Sequence, residues 1–121
     1  MSVITLILGT LVALEFLYIF YLETIATTSS KTRKTFNLSK VDMESKSLQV
    51  LFKNQGVYNG LIALLLFYSL YLSHAAKEIT SLILMYILLV ACYGAVTSDK
   101  RILLKQGGLA ILTLLSLIFL G

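Results

Sequence analysis

The sequence predicts an all-α membrane protein, an antiparallel bundle of four transmembrane helices with a cytoplasmic amphipathic helix before the second of them. The first observation is composition, because 58% of the 121 residues are hydrophobic and 13% are charged, whereas a soluble domain carries about 25% charged residues. The second is that the apolar residues fall in four stretches, each near the ~20 residues that a helix needs to cross a bilayer. These stretches lack the alternation of barrel strands. We therefore expect residues 1–121 to form a single integral membrane domain.

Composition also excludes several classes of protein. The single cysteine, Cys92, cannot form an internal disulfide, and one histidine, His74, gives no zinc-binding spacing. The chain has no glycine motif of the kind that cradles phosphate groups. We expect no metal, no cofactor and no nucleic-acid partner, and membrane lipids are the expected surroundings.

The first predicted helix covers about residues 3–26 and is interrupted by two acids, Glu15 and Glu23. A charge near the middle of a spanning helix costs about 2.5–3.5 kcal/mol on insertion scales, so Glu15 is expected to face the interior of the bundle. Glu23 follows on the same side of the helix, about 12 Å further along its axis. Tyr18 shares that side, so two acids and a phenol are predicted on one inward face.

The connection that follows, residues 27–55, is long and hydrophilic. Within it, Ser39 with Asp42 three residues later is typical of a helix N-cap with an acid in the first turn. An amphipathic helix is predicted from that point. Because it leads into the second apolar stretch, the second predicted helix covers about residues 39–73.

The lysines and arginines predict the orientation in the membrane. Nine of the ten lie in the first connection or around the last one, residues 98–101, and Lys77 alone lies on the other side. By the positive-inside rule, loops 27–55 and 98–101 are cytoplasmic and both termini lie outside, in a multi-pass protein of the cell membrane. We interpret these charges as ordinary topology signals, with a lid or a contact to anionic lipid as the alternative.

A dense polar block, NQGVYNG, opens the apolar part of the second predicted helix. Four side chains of this block can form hydrogen bonds, and they lie in pairs one helical turn apart: Asn54 with Tyr58, and Gln55 with Asn59. Its two glycines, Gly56 and Gly60, form a GxxxG pattern, which allows another helix to approach closely.

The third and fourth predicted helices cover about residues 79–97 and 102–120. Short connections make them antiparallel neighbours of the second helix, and they bring Tyr93 and Gln106 to the same cytoplasmic half. The candidate ligand-binding residues are therefore Glu15, Tyr18, Glu23, Asn54, Gln55, Tyr58, Asn59, Tyr93 and Gln106. Taken singly, the amides are better interpreted as structural hydrogen bonds between helices, worth about 0.6 kcal/mol each. For Glu15 that interpretation is weaker, because a few such bonds barely offset its insertion cost.

Five segments resemble one family of small bacterial integral membrane proteins that is catalogued as a domain of unknown function: VALEFLYIFYLE, FNL, NQGVYNG, YGAVT and KQG. The resemblance covers nearly the whole chain. It implies four helices and importance for the polar blocks, carried here by Glu23, Asn54, Gln55, Tyr58, Asn59, Tyr93 and Gln106. It implies no activity. Members often have histidine where this chain has Phe16, so a histidine proton relay is not expected here.

Three functions fit these features. The first is a polar intramembrane pocket, open to the cytoplasm, that binds a small molecule, cationic or otherwise, or a lipid headgroup; the sequence leaves open whether it catalyses a reaction. The second is a proton-coupled exporter of cationic compounds that works as a homodimer and uses Glu15, by analogy with small multidrug transporters. The third is a structural or assembly partner that docks through its small-residue faces.

Overall fold

The chain is helical almost throughout in a computed structural model, which describes the backbone of all 121 residues and every side chain except that of Ile102. The backbone so described contains no strand. In chain order the helices are α1 (Val3–Phe20), α2 (Ser30–Thr35), α3 (Lys40–Glu44), α4 (Lys46–Tyr71), α5 (Ala76–Thr97) and α6 (Arg101–Leu120). A π-helical turn, Tyr21–Ile25, continues α1.

Four segments are long and apolar enough to cross a membrane, namely Val3–Ile25, Lys46–Tyr71, Ala76–Thr97 and Leu103–Leu120. At 1.5 Å per residue they are about 27–39 Å long, against a hydrocarbon core of about 30 Å. The prediction of an all-helical chain with four apolar helices is thereby confirmed. The antiparallel bundle and the amphipathic helix stay predictions.

The second predicted helix, residues 39–73, is divided at Ser45. Its backbone there is extended, with φ −69° and ψ 117°, and its hydroxyl accepts a hydrogen bond from the Leu48 amide at 3.3 Å, as serine does at the start of a helix. The result is a short α3 followed by a separate, long α4. At the start of α3, Ser39 and Asp42 form a reciprocal capping box, so the N-cap predicted at Ser39 is present.

The chain divides into two compact units, and each is described by itself. The first unit comprises Met1–Ala13 and Leu64–Gly121. Buried hydroxyls bond across it: Thr5 Oγ1 lies 2.9 Å from Ser116 Oγ, and Thr80 Oγ1 donates to Ser69 Oγ at 2.9 Å. Because lipid provides little hydrophobic drive for helices to associate, such bonds and small side chains are what hold spanning helices together.

The connection between α5 and α6 carries an ion pair, Asp99 with Arg101, at 3.0 Å. Hydrogen bonds from the Arg101 amide and guanidinium hold the pKa of the Asp99 carboxyl below its usual range. A lowered folded-state pKa contributes stability above the carboxyl's unfolded pKa, and that contribution is lost as the pH falls through the folded value. Because the pair is exposed to water and salt, the contribution is small.

The second unit, Leu14–Ala63, contains the end of α1, the π-helical turn, α2, α3 and the first part of α4. Two contacts pack the connection onto α4. The rings of Phe36 and Phe52 have centroids 5.3 Å apart, and Gln49 Nε2 donates to the Met43 carbonyl at 2.7 Å. Phe36 and Met43 of the connection are therefore held against α4.

Candidate functional site

A buried polar pair lies inside the second unit. Glu23 is 4% exposed and Asn59 is 8% exposed, and Asn59 Nδ2 donates a hydrogen bond to Glu23 Oε1 at 2.6 Å. Removing a carboxyl group from water is unfavourable unless it gains partners. The Asn59 amide supplies such a partner from another helix, so these two residues form the centre of the candidate site.

Glu23 occupies the π-helical turn at the end of α1. In this turn the Ala26 amide donates to the Tyr21 carbonyl at 2.8 Å, five residues earlier. Such turns are rare and occur often at functional sites. The Thr27 hydroxyl donates to the Glu23 carbonyl at 2.7 Å, which satisfies a backbone group that the end of the helix leaves without a partner.

The glycines of α4 allow this pair to form. A Cβ atom on Gly56 would collide with the Thr24 hydroxyl and would lie 3.0 Å from the Thr24 amide nitrogen. A Cβ atom on Gly60 would lie 3.0 Å from the Phe20 ring. Because both glycines lack a side chain, the backbone of α4 approaches residues 20–24 closely, and the Thr24 hydroxyl donates to the Lys53 carbonyl at 2.9 Å.

Glu15 lies on α1 in the same unit, eight residues before Glu23. Its side chain is partly buried, and its Oε1 atom is fully buried with no hydrogen-bond partner among the described atoms. An unsatisfied buried polar atom in a native structure calls for an explanation, such as a bound molecule or a functional role. Glu15 is therefore the second feature of the candidate site.

The remaining predicted residues do not take part in this hydrogen-bonded pair. On α4, Asn54, Gln55 and Tyr58 are exposed, while Asn59 is buried. The reason is helical phase: Asn59 follows Gly56 by three residues and so shares its face, whereas the other three point away from that face. Tyr18 on α1 is 47% exposed. Tyr93, 72% exposed, and Gln106 belong to the first unit.

Two threonines that were not among the predicted site residues help to build the site. The Thr32 hydroxyl donates to the carbonyls of Leu22 and Ala26, at 2.9 and 2.7 Å, and Thr24 joins the π-helical turn to α4. Both stand in or beside a run of hydroxyl residues that the sequence marks only as a polar connection. No spacing rule predicts which carbonyl such a side chain will reach, so the sequence contained no usable signal.

The described side chains contain no group of three or more histidine, cysteine, aspartate or glutamate residues that could hold a metal ion. The buried pair provides the carboxyl oxygens of Glu23, which accept hydrogen bonds, and the side-chain amide of Asn59. These groups suit a guest with N–H or O–H donors. The expectation of no metal and no cofactor stays a prediction.

The four long apolar helices suggest that this chain is a multi-pass membrane protein. A family model matches residues 10–118, and the chain belongs to that family, described as a protein of unknown function, DUF1304. The chain is 57% identical over 119 residues to "Uncharacterized protein YpaA" of Lactococcus lactis subsp. lactis (strain IL1403). The aligned region covers 98% of this chain and 100% of that relative. No solved structure matches it. The resemblance to a family of unknown function is thus confirmed, while the diagnostic value of NQGxYNG stays a prediction.

Proposed function

We propose that this chain is a multi-pass protein of the cell membrane that binds a small polar molecule or a lipid headgroup at Glu23 and Asn59, from the cytoplasmic side. The observation that carries the proposal is the buried hydrogen bond between the Glu23 carboxylate and the Asn59 amide, 2.6 Å long. A carboxyl group that is 4% exposed is expensive to keep away from water, and ionisable residues within spanning segments usually mark substrate or ion pathways.

Charge supports a guest that donates hydrogen bonds or is cationic. Among the described side chains, the ion pair within 4.0 Å joins Asp99 and Arg101, so neither Glu15 nor Glu23 has a basic partner there. A guest ammonium or hydroxyl group would complement the buried Glu15 oxygen that lacks a partner.

Native mass spectrometry of the mildly solubilised protein tests the binding proposal. We expect the wild-type chain to carry a small molecule or lipid. In the Glu23→Gln variant the occupancy by this molecule is expected to fall at least about tenfold, because hydrogen bonds to charged groups are worth about 1.5–3 kcal/mol. Glu15→Gln is expected to weaken the binding of the same molecule. Occupancy is read directly from the masses of the intact complexes.

Glu78→Gln is the matched control, since it makes the same change at an exposed position in the first turn of α5. We expect this variant to retain the molecule at the wild-type level. If Glu23→Gln retains it equally well, the site is not at Glu23. If the folded wild-type protein carries nothing, a structural or assembly role replaces binding.

The orientation is tested by labelling single cysteines in intact cells. The chain has one cysteine, Cys92, so a Cys92→Ser background accepts new ones at exposed positions. We expect a membrane-impermeant maleimide to label His74→Cys and to leave Ser30→Cys unlabelled until the cells are broken, because basic loops stay in the cytoplasm. Labelling of Ser30→Cys in intact cells would reverse the proposed orientation.

A proton-coupled exporter is the second candidate, favoured by the Glu15 oxygen that is buried without a partner. An exporter of this kind binds a cation and a proton at one carboxylate in turn. Adding a lipophilic cation to the detergent-solubilised protein is then expected to release protons, and Glu15→Gln is expected to abolish the release, with Glu78→Gln unchanged. Equal release from the Glu15→Gln variant would remove this candidate.

A further inference from the structure

A cluster of positive charge follows the first spanning segment. We call residues 31–40 the basic segment, because it contains Lys31, Arg33, Lys34 and Lys40. No acid occurs between Glu23 and Asp42, so these four charges are not offset by neighbours in the chain. Lysine and arginine in a connection are common topology signals; what distinguishes this segment is how it is held.

Hydrogen bonds attach the basic segment to the end of the spanning helix. Thr32 is fully buried, and its hydroxyl donates to the carbonyls of Leu22 and Ala26. Leu22 lies three residues before Ile25, where the candidate span ends, which is about 4.5 Å along a helix axis. The basic side chains beside Thr32 are therefore held next to the end of the apolar span.

The segment is also ordered at both ends of α2. Ser29 accepts from the Thr32 amide at 3.2 Å as the N-cap. At the other end the Leu38 amide donates to the Arg33 carbonyl at 2.9 Å and the Asn37 amide to the Lys34 carbonyl at 3.3 Å. This is a Schellman pattern, with Asn37 in the left-handed conformation at φ 56°. The spacing of the charges is thus set before any lipid binds.

These charges lie at the surface, and none of them belongs to an ion pair among the described side chains. Lys31, Lys34 and Lys40 are exposed and Arg33 is partly exposed. In the described side chains the ion pair within 4.0 Å lies elsewhere, between Asp99 and Arg101, so no carboxylate neutralises the basic segment. Hydroxyl groups of Thr28 and Ser30 are exposed beside it. Ammonium, guanidinium and hydroxyl donors together match the oxygens of a phosphodiester.

We propose that the basic segment binds the phosphate groups of anionic phospholipids in the adjoining leaflet, and so surrounds this protein with them. The preordered segment lowers the entropy that binding would otherwise cost. This surface is separate from the Glu23–Asn59 site. The proposal stands or falls independently of any small guest there.

Electron paramagnetic resonance of spin-labelled lipids tests this proposal on the full chain in phosphatidylcholine vesicles. We expect the wild-type protein to immobilise spin-labelled phosphatidylglycerol at least about fivefold more than spin-labelled phosphatidylcholine, since even one basic residue near the headgroups contributes about that factor. The variant Lys31→Gln/Arg33→Gln/Lys34→Gln, which keeps only Lys40 of the segment, is expected to lower the preference at least about fivefold. Raising the salt to about 1 M, where the Debye length is about 3 Å, should remove it from the unaltered protein.

Two controls keep the test specific. Arg33→Lys retains the charge and is expected to retain the preference, and Lys77→Gln removes an exposed charge at the start of α5 and is expected to change nothing. The salt arm needs no substitution, so a variant that fails to fold does not leave the question open. A wild-type preference near unity, a preference that survives high salt, or a preference that the folded triple variant retains in full overturns the proposal.

Discussion

Replacing Gly56 by alanine is expected to lower the free energy of unfolding by about 1–3 kcal/mol, the usual cost of overpacking a close contact. The added Cβ would collide with the Thr24 hydroxyl and would lie 3.0 Å from both the Thr24 amide nitrogen and Glu23 Cβ. Two of these neighbours are held by the backbone or lie next to it, so α4 must move outward. That movement also lengthens the hydrogen bond between Asn59 and Glu23.

Unfolding of the purified protein in mixed micelles, followed by circular dichroism, measures this loss. Gly108→Ala is the matched control, because a Cβ there meets none of the described atoms within 4 Å and alanine gains up to about 1 kcal/mol of helix propensity. Adding Thr24→Ala to Gly56→Ala is expected to restore part of the stability, since one of the three close contacts disappears. Equal stability of the Gly56→Ala and Gly108→Ala variants would show that α4 does not approach residues 20–24 this closely.

Replacing Asn59 by leucine is expected to cost about 1–3 kcal/mol, because the buried Glu23 carboxylate then loses the donor at 2.6 Å. Replacing both residues, as Glu23→Leu/Asn59→Leu, is expected to recover most of that loss, since no buried polar group is left without a partner. The same unfolding measurement, arranged as a double-mutant cycle, separates the pair from the two single effects.

Gln55→Leu controls for the loss of an amide, because Gln55 is exposed on the same helix four residues earlier. Its unfolding free energy is expected to stay near the wild-type value. Should Asn59→Leu prove no less stable than Gln55→Leu, the buried pair would contribute nothing to the fold. A stable Glu23→Leu/Asn59→Leu variant is also useful for the binding proposal, because loss of the bound molecule from it cannot be attributed to unfolding.

Much of the fold could be predicted because it depends on local sequence. The four apolar helices follow from runs of apolar residues, since only a helix or a closed barrel satisfies its backbone within a bilayer. The cap at Ser39 follows from the spacing to Asp42. The break at Ser45 could not be read in the same way, because serine is compatible with either a helix interior or a cap and the choice depends on what α3 packs against.

The candidate site was predictable only as a set of residue types. Glu15, Glu23 and Asn59 were expected in one polar region because charges and amides are costly in spanning helices. The structure joins Glu23 with Asn59 and leaves Asn54, Gln55 and Tyr58 exposed. The sequence did contain the phase that separates them, since Asn59 lies three residues after Gly56, but that phase matters only once the glycine face is known to pack on α1.

The sequence alone therefore determines four apolar helices, and it places two acids in the first of them, where lipid disfavours a charge. It can do so because the composition of about 20 residues decides whether a segment prefers lipid or water. Packing between distant segments selects which polar groups meet. Glu23 reaches Asn59 because the π-helical turn directs it and because Gly56 and Gly60 admit α4 against Thr24 and Phe20. The contacts at the two glycines join residues about 30 or more positions apart in the chain, a separation at which no local propensity acts.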